Sequence, residues 1–396
     1  MYVLQSNIDK TFKYLLYSRA LRSIALIYTS LAFSLYLSAL HLSLVGIGIV
    51  AALVMLFTIL LTFAYGAIGD RKGFKTEMVI SEVVTFLGVA IIAVAIYIPL
   101  IVLGMALAGL SGSAGGMRGS FSPGSSAFIA NNYRNEKERV KRYSSISLVA
   151  SIAAIGGSIL FSLVSMTSRF VGLLAAYRCF FAIAAFLLGL SIVFLLMLKE
   201  VPKEKKTTKI LTQKSWHYLS KVIVVNILGG AGMGLMAPLL PLWLKLMYGA
   251  TNFEIGTLFT AVYFFTAFGL YLSMKYASKF ESLSIAAMTR IVGAIFVFAM
   301  ALSPTFILAA LFYLLRSIMG GFGNPSRTNV NIRGISNEDY GTASSVQGIA
   351  TRVAQLSAGA SGYLMDIALP LPLLIGGLFQ FASGIGYKVL FNKKAK

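Results

Sequence analysis

Residues 66–75 read GAIGDRKGFK, a short charged segment between two long apolar runs at 43–67 and 77–96. Gly73 provides the backbone freedom that a tight turn needs, and Gly66 allows two helices to approach closely. Asp70 supplies a carboxylate that can accept hydrogen bonds from a helix N-terminus or from a nearby arginine. The segment therefore predicts a turn between two helices, in which Asp70 either joins two helix bundles or only caps a helix.

The composition of the chain is that of an integral membrane protein. Of its 396 residues, 58% are hydrophobic and 12% are charged, and the mean hydropathy is +0.82. A soluble domain of this length needs more polar surface, so this much apolar surface is stable only against lipid. Because a span needs about 20 mostly apolar residues, the sequence predicts twelve spans, at 17–40, 43–67, 77–96, 98–118, 141–164, 171–197, 218–245, 253–275, 283–301, 304–323, 342–365 and 370–391.

The basic residues alternate along the chain in a way that predicts its orientation. The net charge is +21, and Lys and Arg residues, Arg327 among them, collect in every second connection, as cytoplasmic loops do. This pattern predicts a multi-pass protein of the cell membrane with both termini in the cytoplasm and residues 1–22 as a cytoplasmic lead-in. It also excludes nucleic acid as a partner, because the basic residues are spread over many short loops.

Residues 199–216 form the longest polar run and divide the chain into two halves of six predicted spans. The halves share features at offsets of a little over 200 residues, which indicates an internal duplication. For example, Ile-Gly at 47–48 opens span 2, and Ile-Gly at 255–256 opens span 8. The sequence thus predicts an N-terminal six-helix bundle at 1–198, a cytoplasmic linker at 199–216 and a C-terminal six-helix bundle at 217–396.

The segment 66–75 resembles the signature Gly-x-x-x-Asp-Arg-x-Gly-Arg-Lys of the major facilitator superfamily. Phe74 replaces one basic residue, and the matching positions are Gly66, Asp70, Arg71, Gly73 and Lys75. The resemblance implies an all-α integral membrane fold with twelve transmembrane helices in two pseudo-symmetric six-helix bundles. It also implies a permease that works by alternating access, in which the signature contacts span 11 and holds the inner face closed.

Three further features bear on this resemblance. Span 7 contains Gly-Gly-Ala-Gly-Met-Gly at 229–234 followed by Pro238 and Pro241, a pattern that weakens a helix where gating would bend it. An Arg-x-x-x-Gly sequence beginning at Arg316 is similar to the motif of the family's fourth helix. Span 5 contains Gly-Gly at 156–157 without the proline that is usual in the family's drug antiporters, and this departure disfavours proton–drug antiport.

Arginines inside the predicted spans are the strongest candidates for substrate contact. Charged residues within a membrane are energetically costly, so each one is a candidate for a functional role. The deepest in the predicted spans are Arg316 and Arg352. Because Arg suits carboxylate and phosphate recognition, the sequence predicts a small organic anion as substrate. The alternative is that both arginines only hold the C-terminal bundle together. In this family helices 1, 4, 7 and 10 line the central cavity, which implies further cavity residues: Tyr28, Ser34, Tyr36, Asn226 and Tyr313.

Glu82 in span 3 is the best carboxylate for coupling transport to protons, although it can equally pair with Arg71, Lys75 or Arg118. Facilitated diffusion and a proton-coupled exporter of amphipathic compounds both stay open. The alternative from another class is a receptor or structural membrane protein that transports nothing. The sequence predicts no enzyme, no cofactor and no metal site, because one cysteine and two distant histidines form no reactive or ligating set. The chain is expected to act as a monomer.

Overall fold

All regular secondary structure is helical in the part of the chain that the computed structural model describes. That part comprises residues 2–109, 124–125, 128–129, 132–133, 136–200, 212–336 and 340–391. The helices in chain order are α1 Tyr2–Ala39, α2 Leu44–Lys72, α3 Phe74–Val94, α4 Ile98–Ala108, α5 Glu136–Val171, α6 Leu173–Leu196, α7 Gln213–Met236, α8 Leu240–Tyr248, α9 Asn252–Tyr276, α10 Ser282–Ala301, α11 Phe306–Ile332, α12 Tyr340–Ala354, α13 Ala358–Ile367 and α14 Leu371–Phe391. Short 3-10 turns follow α9 and join α12 to α13.

Ten of the described helices are long and apolar enough to cross a membrane. Each of the ten overlaps a span predicted from the sequence. The predicted span 98–118 contains the shorter helix α4, and its second half lies among residues 110–123, outside the described part. The predicted span 342–365 is interrupted by the 3-10 turn Gln355–Ser357, so α12 and α13 are each too short alone. The multi-span membrane fold is confirmed, and the count of twelve stays a prediction.

Helix α1 begins well before the first predicted span. Its apolar part covers Thr11–Ala39, and within it Arg19 and Arg22 are 2% and 1% exposed. Helix α1 therefore extends through most of residues 1–22, and the prediction that these residues form a cytoplasmic lead-in stays a prediction. An arginine that finds polar partners inside a helix bundle lowers the local hydropathy without leaving the bundle, and this is why the sequence placed the helix start too late.

Prolines determine where the seventh predicted span is interrupted. The region 218–245 contains two helices, because α7 ends at Met236 and α8 begins at Leu240. Pro238 lies in the turn between them. Pro241 lies in the first turn of α8, where a missing backbone N–H costs least. The interruption that the Gly and Pro pattern predicts in this span is confirmed.

The chain divides into two compact units. The first comprises Met1–Leu42, Leu53–Lys205 and Thr251–Thr260, and the second comprises Ser43–Ala52, Lys206–Ala250 and Ala261–Lys396. In the first unit α1 packs against α5 and α6, and α3 packs against α4 and α6. In the second unit α10 packs against α11 and α14, and α7 packs against α12 and α14. Helices α6 and α14 thus serve as the shared neighbours around which the charged residues of each unit are arranged.

Close helix contacts at glycine occur at matching positions of the two sequence repeats. In the second unit, a Cβ atom added at Gly48 of α2 would lie 2.9 Å from the backbone nitrogen of Gly362 in α13. In the first unit, a Cβ atom added at Gly256 of α9 would lie 2.8 Å from the backbone nitrogen of Ser162 in α5. Side chains do not tolerate such distances, so both helices need glycine where the repeat places it.

Candidate functional site

The signature segment 66–75 forms the turn between α2 and α3. Gly73 has a φ of 97°, a conformation that residues with side chains rarely adopt, so the predicted turn glycine is confirmed. The first backbone N–H groups of α3 donate to one carboxylate, Phe74 to Glu200 Oε1 at 2.8 Å and Lys75 to Glu200 Oε2 at 2.9 Å. This carboxylate satisfies donors that every helix start leaves unpaired, and it complements the helix dipole.

Other signature residues have positions that the sequence did not predict. The Lys75 ammonium donates to the carbonyl oxygen of Leu196 at the end of α6, at 2.8 Å, and Arg71 is exposed. A Cβ atom added at Gly66 would meet no described atom within 4 Å, so the close helix approach predicted at this glycine is absent among the described helices. The side chain of Asp70 lies outside the described part of the protein.

A buried ion pair joins α1 to α3 in the first unit. Arg22 donates to Glu82, and both side chains are fully buried. The other Glu82 oxygen accepts from Ser191 of α6 at 2.6 Å, and Ser191 also meets Ser18 of α1 at 2.8 Å. The expectation that Glu82 pairs with a basic residue of the signature segment is thus corrected, because its partner comes from α1. Arg118, the remaining predicted partner, lies outside the described residues.

The predicted cavity residues of α1 are packed inside the first unit. Tyr28, Ser34 and Tyr36 are fully buried. The Tyr28 ring meets Phe181 edge-on, and its hydroxyl donates to the carbonyl oxygen of Tyr177 at 2.9 Å. Tyr36 meets the rings of Tyr177 and Phe181 edge-on as well. Packing against α6 accounts for both tyrosines without a substrate.

Three arginines lie close together in the second unit, Arg290 on α10 and Arg316 and Arg327 on α11. These three residues form the arginine cluster. Arg327 donates to Thr289, the neighbour of Arg290 on α10, and Arg290 and Arg316 contact α7 one helical turn apart, at Gly229 and Met233. All three side chains are partly exposed. Like charges held together inside an apolar bundle are unfavourable unless something neutralises them.

Arg290 is positioned by two neighbouring helices. Its guanidinium packs against Gly229 of α7, where an added Cβ atom would lie 2.7 Å from Nη1. It donates to the side-chain oxygen of Gln380 on α14 at 2.7 Å. The Nε of Arg290 and the Nε2 of Gln380 have no partner among the described residues. Glycine at position 229 therefore makes room for a guanidinium that keeps unused donor capacity.

Arg316 of α11 contacts α7 one helical turn further along that helix than Arg290 does. Its Nη2 donates to the sulfur of Met233 at 3.1 Å, and Met233 follows Gly229 by four residues. The guanidinium also lies over the Tyr313 ring, 5.8 Å from the ring centroid, a cation–π contact that a neutral environment strengthens. The structure thus brings two of the predicted cavity residues, Tyr313 and Arg316, to the same place.

Arg327 belongs to the cluster because α11 continues through Pro325 to Ile332. Its side chain runs back toward the helix N-terminus, as helical side chains do, and donates to the carbonyl oxygen of Gly320 at 3.0 Å and to Thr289 Oγ1 at 3.2 Å. The prediction ended this span at residue 323 because Asn-Pro at 324–325 signals a turn. The missed signal was the spacing of eleven residues from Arg316, which is about three helical turns.

A chain of amide and hydroxyl groups lies beside the arginine cluster. The Asn226 oxygen on α7 accepts from Asn331 of α11 at 3.4 Å, and the Asn331 oxygen accepts from Tyr387 of α14 at 3.0 Å. Tyr387 is also within electrostatic range of two cluster arginines. Of the other predicted candidates, Asn226 therefore lies near the cluster, and Arg352 is partly exposed on α12.

No carboxylate contacts the arginine cluster within the described part of the second unit. The acidic residues described there are Glu281 and Asp366, and both are exposed. The cluster side chains donate instead to amide, hydroxyl, sulfur and carbonyl acceptors. Three positive charges thus share a partly exposed site with neutral partners, an arrangement that can bind an anion.

Solved transporter structures share this fold over nearly the whole chain. The POT family transporter PepTSo has a TM-score of 0.76 at 12% identity, covering 96% of this chain and 97% of that one. A D-xylose-proton symporter has a TM-score of 0.74 at 16% identity, with 98% and 97% covered. The human organic anion transporter MFSD10 (TETRAN) has a TM-score of 0.68 at 12% identity, with 96% and 99% covered. At these identities the likeness shows the fold alone.

The sequence itself also matches a known family. Comparison with curated proteins gives no match. The family model described as Major Facilitator Superfamily matches residues 15–359, a range that includes the signature segment and the arginine cluster. With the family matched over most of the chain and the same fold in solved transporters, the chain belongs to the Major Facilitator Superfamily and is a membrane transporter, not an enzyme.

Proposed function

We propose that this transporter carries a small organic anion across the cell membrane by alternating access. The arginine cluster is the observation that carries the proposal, because its three cations have neutral partners and no carboxylate among the described residues. A transported anion supplies the missing negative charge, and guanidinium groups bind carboxylates and phosphates through paired hydrogen bonds. The fold is compatible with this cargo, since one similar structure is described as an organic anion transporter.

The proposal includes the membrane arrangement that the sequence predicts. Twelve spans form two six-helix bundles at 1–198 and 217–396, the linker at 199–216 joins them, and both termini lie in the cytoplasm. The distribution of Lys and Arg supports this orientation. It places the signature turn on the cytoplasmic side, where we propose that Asp70 contributes to an inner gate.

Glu82 holds helices together in this proposal and does not carry the coupling proton. Its full burial and its contacts with Arg22 and Ser191 support this role. The alternative, proton-coupled transport through Glu82, is tested by imposing a pH jump across liposomes that contain the protein. Anion flux that does not follow the direction of the proton gradient is the expected result.

Uptake by reconstituted liposomes tests the substrate class. In a panel of organic anions, neutral sugars and amphipathic cations, only anions are expected to enter. Arg316→Ala should weaken anion binding about 10-fold to 100-fold, as the loss of a charge-assisted hydrogen bond does. Arg316→Lys should weaken it too, because Lys keeps the charge without the planar fork.

Arg169→Gln is the matched control, since it removes a positive charge from an exposed position at the end of α5. It is expected to leave uptake unchanged. Unchanged KM values in both Arg316 variants, or uptake of sugars or cations in preference to anions, would contradict the proposed function.

A further inference from the structure

The two units contain equivalent junctions of three helices. In the first unit α1, α3 and α6 meet through three hydrogen-bonded side chains, those of Arg22, Glu82 and Ser191. In the second unit α7, α10 and α14 meet through a glycine, an arginine and a glutamine, at Gly229, Arg290 and Gln380. The first two residues of each junction are related by an offset of a little over 200 residues, the offset of the sequence repeat.

The two junctions carry opposite charge at one position. Where α3 supplies Glu82, α10 supplies Arg290. Where α1 supplies Arg22, α7 supplies Gly229, whose missing side chain leaves space for the guanidinium. In the first junction Arg22 is therefore paired with a carboxylate of the protein, whereas the second junction leaves a cation beside an amide. An arginine inside a bundle without a carboxylate is costly, so the second junction is suited to an anion from outside the protein.

The arginine cluster extends this site beyond one positive charge. Arg290 packs on Gly229 and Arg316 on Met233, one turn further along α7, which separates the two contacts by about 6 Å. Arg327 donates to Thr289, the residue that precedes Arg290 on α10, so Arg290 lies between the other two arginines in a row. A monovalent anion would leave two of these charges without a counter-charge.

We propose that the arginine cluster selects organic anions that carry two negative charges, such as dicarboxylates or phosphate monoesters. This inference rests on the proposed function and specifies its substrate class. The two charges lie along the row of arginines, with Arg290 between them and in contact with the ligand. Gln380 accepts from Arg290 and keeps its guanidinium turned toward this site, so that Gln380 is a positioning residue.

Pairs of ligands that differ by one charge test the inference on the wild-type protein. A phosphate monoester is compared with the sulfate monoester of the same alcohol, and succinate is compared with its monoamide. The doubly charged member is expected to be taken up at least about 10-fold better. The phosphate preference should shrink below about pH 6, where the second phosphate charge is lost. The ligand pair with the larger ratio of doubly to singly charged uptake shows whether the site prefers phosphate monoesters or dicarboxylates.

The substitution Gln380→Glu tests the site from the protein's side. It places a carboxylate where Gln380 Oε1 already accepts from Arg290, which reproduces the arginine–carboxylate pair of the first unit. Affinity for the doubly charged ligand should fall about 10-fold to 100-fold, while the melting temperature stays the same or rises. Arg290→Gln should reduce the preference for two charges over one, and Arg169→Gln serves as the charge-matched control.

Equal uptake of singly and doubly charged ligands by the wild type would overturn this inference, as would unchanged affinity in folded Gln380→Glu and Arg290→Gln proteins. The proposed function survives that outcome if the Arg316 variants still lose anion uptake. If the wild type takes up no anion of either charge, both the inference and the proposed function fail. If the Gln380→Glu protein does not fold, the ligand pairs still test the inference, because they are measured on the wild-type protein.

Discussion

Arginines inside the helix bundles of the two units differ in the partners that their side chains bind. Arg22 lies in the first unit against Glu82, and both side chains are removed from solvent. Arg290 occupies the equivalent junction of the second unit and donates to an amide oxygen. An ion pair formed within the protein fixes helices in place, whereas a cation with a neutral partner keeps its capacity for a ligand. The same residue type therefore has a structural role in one unit and a proposed binding role in the other.

The ion pair leads to a prediction about stability. Glu82→Gln leaves Arg22 buried without its counter-charge, so the free energy of unfolding should fall by about 3–5 kcal/mol. Thermal unfolding in detergent micelles measures the change. Glu138→Gln is the control, since it breaks the partly exposed pair of Glu138 with Arg142 within α5, a type of pair that contributes about 0–1 kcal/mol. Equal losses in the two variants would refute the structural role of Glu82.

At the scale of the element, the start of α3 depends on a residue that is distant in sequence. Glu200 follows α6 and accepts from the first two N–H groups of α3. Gly73 is required twice, because its φ of 97° strains other residues and because an added Cβ atom would lie 2.8 Å from Glu200 Oε2. The turn of the signature segment is thus held by Glu200, at the start of the predicted linker 199–216.

Removal of this cap should loosen the first turn of α3. Glu200→Ala deletes a charged N-terminal partner, which should cost about 1–2 kcal/mol and speed hydrogen exchange at the amides of residues 74 and 75. Mass spectrometry of peptides that cover 70–80 measures the exchange rates. Glu281→Ala is the matched control, because the Glu281 side chain at the start of α10 accepts from the Ser284 hydroxyl and makes no cap bond with a backbone N–H of that helix. Exchange that is accelerated equally at both helix starts would count against the cap.

At the scale of the whole molecule, the orientation proposed from Lys and Arg residues places the two ends of α10 on opposite sides of the membrane. Lys279 precedes the helix and Leu302 follows it, and both are exposed. In a Cys179→Ser background, a membrane-impermeant thiol reagent should label Leu302→Cys in intact cells. It should label Lys279→Cys only after the membrane is permeabilised. The reverse pattern would show that both termini face outward.

The sequence determined the class of this protein because the relevant signals are local. Apolar runs of sufficient length give the spans, and the Gly-Asp-Arg-Gly pattern at 66–75 gives the family. The turn at Gly73 could be predicted because backbone freedom belongs to a single residue. The break at Pro238 could be predicted because a missing N–H acts on its own helix.

Tertiary structure decided which charged residues meet, because hydropathy treats every arginine alike. Arg22 pairs with a residue 60 positions away, and Glu200 caps a helix that begins 126 positions earlier. Local sequence patterns do not relate residues that are this far apart along the chain. Arg327 became part of the site only because α11 continues through Pro325, which neighbouring helices permit in a bundle. The sequence by itself thus determined a transporter of this superfamily, whereas only the packing of α7, α10, α11 and α14 brought three arginines together, with no carboxylate beside them among the described residues.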